Sequence, residues 1–564
     1  MAAQLSYTCR YMKEMRDHHP GRRHGALRSP ALLAIALLFA AIAFASCSSI
    51  TASLSKSSGA AGGGVAGPAP GTAPSSTSSN SSIANAAAAA ALAPDIPELA
   101  RIFSSPSAAS LTPSERAKLE QTLARYTSLE SPAPQYRSEK PDPRTNRVTA
   151  SMLAAAAKDP ARNLPALTQT LTAGENDPYM RIKLIHDWIA ETITYDVSML
   201  SKSTVTGQDL ETVLSTRRAV CSGYARLFET MARYAGFDAK TIEGYARGLG
   251  SVFAFDQRNS HAWNMVRIGN FWYLVDVTFD AGAFQNGTYQ KRYRTDYLFP
   301  PPVQLRYTHF PENPAWQLFP SPLDRAGFLS RAVVQSAFFR YGLKIASSGS
   351  ASGAPDLPAI QKAAGIFALE LEAPDGVLVD GSMFDAKGRE IEASVLASRL
   401  SPTRWKLMFA MPAAAAYTAT VFAGRSGSGA SAAAATAPAS PPAATQSSAS
   451  TRLESVLQFS IENSKAWPSS PLLPKVYGRY HNLPGELLES PLAGSLMTGE
   501  TARFVYRSSA RHVAIIYDQN FVPLNKTQQD LFVLDFKVPR TSTVKLGVSE
   551  NGADYQIVLA WVVR

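Results

Sequence analysis

Apolar residues recur at helical spacing in the first half of this chain and alternate in the second. In Met180-Arg181-Ile182-Lys183-Leu184-Ile185-His186-Asp187-Trp188-Ile189, the three isoleucines Ile182, Ile185 and Ile189 fall on one face, so residues 97–195 read as helices. Thr112-Pro113-Ser114-Glu115 supplies an N-cap with proline in the first turn. Residues 221–235 continue the pattern, with Leu227, Met231 and Tyr234 at helical spacing. The period then shortens. Met265 to Val277 reads as two strands joined at Gly269-Asn270, a good hairpin turn. Helices followed by strands predict an α+β domain ending near residue 325. Beyond it Phe367, Leu369 and Leu371 alternate with Ala368, Glu370 and Glu372. Trp405, Leu407 and Phe409 follow, then Tyr417, Ala419 and Val421. Short alternating strands at this spacing predict a sandwich of about 100 residues. Phe532 to Val538 and Ile557 to Val563 repeat the style and predict a second β domain.

Two segments carry no such pattern. Ser48 to Ala93 is mostly Ser, Ala, Gly, Pro and Thr, with no aromatic residue and Lys56 as its sole charge, too little apolar surface to fold. As a flexible tether it would span roughly 40 Å. A similar stretch at 425–452 contains Ala432-Ala433-Ala434-Ala435 and Pro441-Pro442. Ahead of both, a basic stretch (Arg10, Lys13, Arg16, Arg22, Arg23, Arg28) precedes the apolar run Ala31 to Phe44 and then Ala45-Ser46-Cys47-Ser48, the parts of a secretory signal. A cysteine directly after small residues resembles a bacterial lipoprotein signal, with Phe44 where Leu is usual. That resemblance implies an acylated Cys47 as the first mature residue and a protein exported and lipid-anchored to a membrane. The predicted order is therefore signal 1–47, tether 48–95, α+β domain 96–325, β-sandwich 326–424, linker 425–452 and C-terminal β domain 453–564.

The formal charge of +11 falls to about +7 once the signal is removed, and the remaining basic residues are scattered. This fits general affinity for anionic surfaces at most and argues against nucleic-acid binding. No His/Cys metal cluster, phosphate-cradling glycine loop or HExxH motif occurs, so neither metal nor cofactor is expected. Of three cysteines, Cys9 lies in the signal and Cys47 would carry lipid. Cys221 is then the one free thiol, and an internal disulfide framework is excluded.

A lone cysteine is usually a small buried hydrophobe, but Cys221 has company. It opens a predicted helix, whose N–H groups and dipole favour an anion. His261 follows forty positions later and Asp276 fifteen beyond that. Cysteine, histidine and acid are the set needed to make a thiolate nucleophile for acyl transfer. Across the Gly269-Asn270 turn, residues whose numbers sum to about 539 face each other. His261 then lies opposite roughly residue 278, with Asp276 two residues away on the same face.

Val220-Cys221-Ser222-Gly223-Tyr224-Ala225, His261-Ala262-Trp263-Asn264 and Trp272-Tyr273-Leu274-Val275-Asp276-Val277-Thr278-Phe279-Asp280 resemble the motifs of a transglutaminase-like domain of the papain-like cysteine class. His186-Asp187-Trp188-Ile189 and Ile193-Thr194-Tyr195-Asp196 upstream extend the likeness. Tyr297-Leu298-Phe299 and His309 to Leu318 downstream resemble the kyphoscoliosis-peptidase and cytokinesis-protein branch. The match covers about 175–320, with Phe279 where Trp is usual. It implies a papain-like α+β fold followed by two all-β sandwich-like domains, with Cys221 as nucleophile, His261 as general base and acid, and Asp276 orienting His261. The Cys221 N–H is the natural first oxyanion donor. Gln208 and Tyr195 are candidates for the second by position only. Trp263 either walls the histidine or is core, and His186 and His309 read as structural. The expected function is acyl-thioester chemistry on protein or peptide amides, by hydrolysis or by transfer to an amine, without a cofactor. The alternative is a non-catalytic scaffolding lipoprotein that uses the same cleft and the β modules. Oligomeric state is not legible.

Overall fold

Side-chain caps start most of the helices in the N-terminal half of the protein. The computed structural model describes residues 96–97 and 113–564, except 128, 203, 249–252, 286–287, 320, 347–355, 426–452, 479 and 481–483. The expected signal with Cys47, the first tether and nearly all of the second lie outside the described residues. Helix α1 (Pro113–Thr127) begins at the proline of the expected cap. Helices α2 (Ala150–Lys158), α3 (Pro160–Thr172), α4 (Pro178–Thr192) and α5 (Leu210–Thr216) start at Thr149, Asp159, Asp177 and Asp209, whose side chains accept backbone N–H groups of the first turn. Helix α6 (Cys221–Tyr234) differs, because its N-cap is Val220 and no side chain caps it. Helix α4 runs through the centre of the domain. Ile182, Ile185 and Ile189 are fully buried, and so is every residue between them. Leu227 and Met231 of α6 join that core, whereas Tyr234, in its last turn, is exposed.

A short parallel pair, β1 (Thr194–Tyr195) with β2 (Arg218–Ala219), delivers the chain to α6. An antiparallel sheet follows, of β3 (Ala239–Ala246), β4 (Ser260–Ile268), β5 (Phe271–Val275) and β6 (His309–Pro311), in the order β5-β4-β3-β6. The β4–β5 hairpin keeps the register read from its turn, from Asn264 opposite Val275 to Ile268 opposite Phe271, with Gly269 at φ 60°. Asn264 ties α6 to this sheet by donating from Nδ2 to the Ala225 carbonyl at 2.9 Å.

The C-terminal half is built from strands in sandwich-like sheets. Ile366–Glu372, Arg404–Ala410 and Val395–Ser401 form one sheet with Lys344–Ile345. Ile360–Ala363, Glu454–Asn463, Ala416–Arg425 and Val377–Phe384 form the other. The predicted boundary at 453 is therefore wrong in one respect. Glu454–Asn463 pairs along its length with Ala416–Arg425 and completes the first sandwich. The reason is its own alternation, since Leu457, Phe459 and Ile461 bury alongside Tyr417, Ala419 and Val421. The second sandwich is assembled from strands between Lys475 and Val563 around Phe504, Tyr506, Leu546 and Trp561. Glu454 also pairs with Arg292, Arg294 and Arg340 at 2.8–3.1 Å, joining the α+β domain to the first sandwich. Among the described residues no helix is long and apolar enough to cross a membrane.

Candidate active site

Val220 has no side chain able to cap a helix, and its extended backbone (φ −94°, ψ −178°) turns straight into α6. The N–H groups of Gly223 and Tyr224 fold back on the Val220 carbonyl at 3.0 and 3.2 Å. The N–H groups of Cys221 and Ser222, first in the helix, have no carbonyl one turn earlier to meet. The half-buried Cys221 thiol thus sits at the positive end of α6. Gln208 lies against the same turn. Its Oε1 accepts the Val220 N–H at 2.9 Å, and a Cβ on Gly223 would come within 2.5 Å of that oxygen. Glycine at 223 is what lets the amide approach. Because Val220 N–H is a donor, the amide oxygen of Gln208 must face it.

His261, the second residue of β4, is hydrogen-bonded to the Cys221 sulfur, which also accepts the Ala262 N–H. Its Nε2 meets Asp276 Oδ2 at 2.7 Å, leaving Nδ1 for the thiol. Asp276 is 1% exposed. The sequence places it on a strand, but β5 ends at Val275 and Asp276 instead caps the short helix α7 (Val277–Ala281), with Oδ1 accepting the Phe279 N–H at 3.1 Å. Aspartate is a strong capping residue, and that role fixes one carboxylate oxygen while the other faces the histidine.

Burial alone would raise the Cys221 pKa. The hydrogen bond and charge of His261 outweigh it and hold the thiol below its ordinary value. Burial likewise disfavours a charged His261, yet Asp276 and Cys221 together raise it to about 10. The Asp276 carboxyl, desolvated but facing two histidines, is held far below the carboxylate range. All three directions describe a thiolate–imidazolium pair braced by a carboxylate.

The second of those histidines is His309 of β6, read from the sequence as structural only. Its Nε2 lies 2.9 Å from the same Asp276 Oδ2, and its Nδ1 2.9 Å from Thr308 Oγ1. Gly244 makes this approach feasible, because a Cβ there would sit 2.3 Å from the Phe310 carbonyl oxygen. The signal for it in the sequence was faint: a histidine beginning a short motif, with nothing to say which strand it would join. Trp263 settles its own two readings by doing both. It is buried, stacks on His261 (centroids 6.0 Å apart, 20° between planes) and meets His309 edge-on at 5.0 Å. Phe279 closes the box at 4.8 and 4.9 Å from the two imidazoles.

His261, Asp276 and His309 offer three potential metal-ligand atoms within 4.8 Å of one another. Both Nε2 atoms, however, aim at one carboxylate oxygen at 2.7 and 2.9 Å, which is hydrogen-bond geometry; ligand atoms around a bound cation stand farther apart. Tyr195 lies near the thiol: burial, then the charge of Cys221, pushes its phenol well above the ordinary value.

A second buried array supports the first. His186 of α4 is 3.0 Å from Asp187 through Nδ1 and 3.0 Å from Asp280 through Nε2. Lys183 bonds the other Asp187 oxygen, and Tyr293 donates to Asp187 Oδ1 at 2.6 Å. Asp280 lies on α7, one turn beyond Asp276, and accepts the Tyr297 N–H at 3.0–3.1 Å; the Tyr297 carbonyl accepts the Asp276 N–H at 3.0 Å. His186 therefore anchors the helix that Asp276 begins.

The transglutaminase-like superfamily model matches residues 165–277. Kyphoscoliosis peptidase of Mus musculus is 32% identical over 167 residues, 29% of this chain and 25% of that protein. Hillarin of Drosophila melanogaster is 29% identical over 141 residues, 22% of this chain and 17% of the relative. A solved TGase structure is 16% identical at a TM-score of 0.16 and covers 32% of this chain and 36% of that one. The chain spans about a quarter of the length of the first curated relatives it matches. Helix, sheet and triad geometry agree with the family match: the chain carries a transglutaminase-like superfamily domain with a papain-like fold.

Proposed function

We propose that this domain catalyses acyl transfer from protein or peptide amides through a thioester on Cys221. The observation that carries the reading is the hydrogen-bonded line from the Cys221 sulfur through His261 to buried Asp276, at the start of an uncapped helix. The Cys221 thiolate attacks the amide carbonyl carbon, and the carbonyl oxygen becomes an oxyanion. The Cys221 N–H is the first donor for it, and Gln208, held against the same turn through its Oε1, is the candidate for the second. His261, already protonated, gives its proton to the departing amine nitrogen as the C–N bond breaks. Water, or a second amine, then attacks the thioester while His261 takes its proton, and the thiolate leaves. Asp276 holds the ring and its positive charge throughout.

The name of kyphoscoliosis peptidase supports hydrolysis, and the superfamily's name supports transfer. The same proposal places the enzyme in the cell envelope through lipid on Cys47, supported by the small residues and apolar run before it. To test it, the full-length protein is incubated with an envelope extract and a labelled amine. Label entering proteins with wild type but not Cys221→Ser supports transfer; new peptide termini that depend on Cys221 support hydrolysis. If neither depends on Cys221, the domain is a scaffold and the proposal fails.

A further inference from the structure

Away from the thiol, three arginines gather. Arg247, just past β3, is buried; it donates to the Tyr307 carbonyl at 2.8 Å and the Ala332 carbonyl at 3.3 Å, and its guanidinium lies 4.2 Å from the Phe328 ring centroid. Arg306 stacks at the same distance on Phe319. Arg331 completes the group and donates to the Tyr307 hydroxyl. Among the described residues none of the three forms an ion pair with a carboxylate. The Nε atoms of both Arg306 and Arg331 are buried and without a hydrogen-bond partner.

Arg306 and Arg331 line an open cleft of about 640 Å³, together with Phe319, Pro322, Leu323 and Asp324. The one carboxylate of that lining, Asp324, caps a helix by accepting the Gly327 N–H on Oδ1 at 2.6 Å and forms no ion pair with either arginine. A guanidinium is charged at any physiological pH, so like charges packed together and partly desolvated destabilise this part of the fold. The cost shows in Arg247 and Arg306, which burial and then the charge of Arg331 pull down to about 10. An oxyanion would remove it, by taking fork-shaped donors and neutralising the charge.

We propose that this cleft binds an oxyanion group, carboxylate or phosphate, gripped by Arg306 and Arg331, on a ligand whose apolar part rests on Phe319, Pro322 and Leu323. The site is separate from the thiol, and its lining includes none of Cys221, His261 or Asp276. The chain links the two, because Arg306 lies three residues before His309.

The test is thermal unfolding of the full-length protein with inorganic phosphate and, separately, with sodium benzoate, each against sodium chloride at matched ionic strength. A saturable rise in Tm of about 2 °C or more with either anion is expected in the wild type. Arg331→Gln and Arg306→Gln should each lose that rise. In the absence of anion the Arg331→Gln protein should melt no lower than wild type, since it sheds one of three like charges, whereas a purely structural arginine would lower Tm. A rise with phosphate alone names a phosphate group, with benzoate alone a carboxylate, and with both an unselective oxyanion site. No rise in the wild type, or an equal rise in both variants, overturns the proposal.

Discussion

His261 and His186 are both buried histidines with a ring nitrogen within 3.0 Å of a carboxylate, and the protein uses them in opposite ways. His261 gives one nitrogen to Asp276 and keeps the other for the half-buried Cys221 thiol. His186 gives both to carboxylates, and Lys183, Tyr293 and the Asp142 N–H complete the Asp187 shell at hydrogen-bond distance. Burial raises both costs alike. What decides the chemistry is the partner of the second nitrogen: a group that can leave with a changed charge makes a reactive pair, whereas a second carboxylate makes a fixed joint. The two arrays meet on α7, where Asp276 and Asp280 stand one turn apart. One histidine holds the helix still, and the other works against it.

Exchanging the two roles by mutation gives the largest expected contrast. His261→Ala should lower acyl transfer, or alkylation of Cys221 at neutral pH, by about 10²–10⁴-fold, the usual worth of a positioned acid–base group. His186→Ala should instead leave Asp187 and Asp280 buried without their shared cation, destabilising the fold by about 3–5 kcal/mol. Alkylation per folded molecule should then be little changed. Stopped-time alkylation with mass analysis, beside urea unfolding, reads both quantities. If His186→Ala abolishes reactivity in folded protein, the division between working and anchoring histidine is wrong.

The pH dependence sharpens the same division. With the thiol held low and His261 raised to about 10, alkylation should be near its plateau at neutral pH and fall only as the thiolate is protonated in acid. In His261→Ala, the Ala262 N–H alone is left to oppose burial, and the rate should climb at higher pH than in the wild type. Stability follows by linkage. Asp276 is depressed, so its contribution is complete above its unfolded pKa of about 3.9 and is lost as pH falls through the folded value. His261 is raised, so its contribution is complete below its unfolded pKa of about 6.5 and is lost as pH rises toward about 10. Asp276→Asn should flatten both limbs of a Tm-against-pH curve; unchanged limbs would show that other groups set them.

How much of this was legible in the sequence depends on range. The triad residues were readable from their types and motifs, while the register fixed by Gly269-Asn270 holds from Phe271 to Val275 and stops one residue short of Asp276. The helical face of Ile182, Ile185 and Ile189 was readable because it repeats within one element. Two features were not. Asp276 as a helix cap needs the strand to end at Val275, two residues before the pattern-based end at Val277. The first sandwich's last strand, Glu454–Asn463, lies beyond a biased segment that reads as a domain border. Its pairing with Ala416–Arg425 spans that segment, and no local spacing encodes such a partner. His309 is the same problem in the active site, since its strand pairs with β3 from more than sixty residues away.

His309 therefore gives the smallest effect and the finest test. A carboxylate oxygen only accepts, so His309 must carry a proton on Nε2, while Thr308 Oγ1 lies 2.9 Å from Nδ1 and 3.3 Å from the Leu305 carbonyl to which it donates. Burial lowers its pKa more than Asp276 raises it, which keeps the ring neutral. A neutral donor steadies Asp276 without competing with His261 for its charge; a second imidazolium in the box would raise the cost of charging His261. His309→Leu removes the donor and should lower the reaction rate about tenfold, roughly one charge-assisted hydrogen bond. It should also move the alkaline limb of the pH–rate profile, because an Asp276 with one fewer donor bonds His261 differently. His309→Gln, which can still donate to Asp276, should recover most of the rate and the profile. A rate loss with an unmoved profile in both variants would make His309 packing around Trp263 and Phe279 and nothing more.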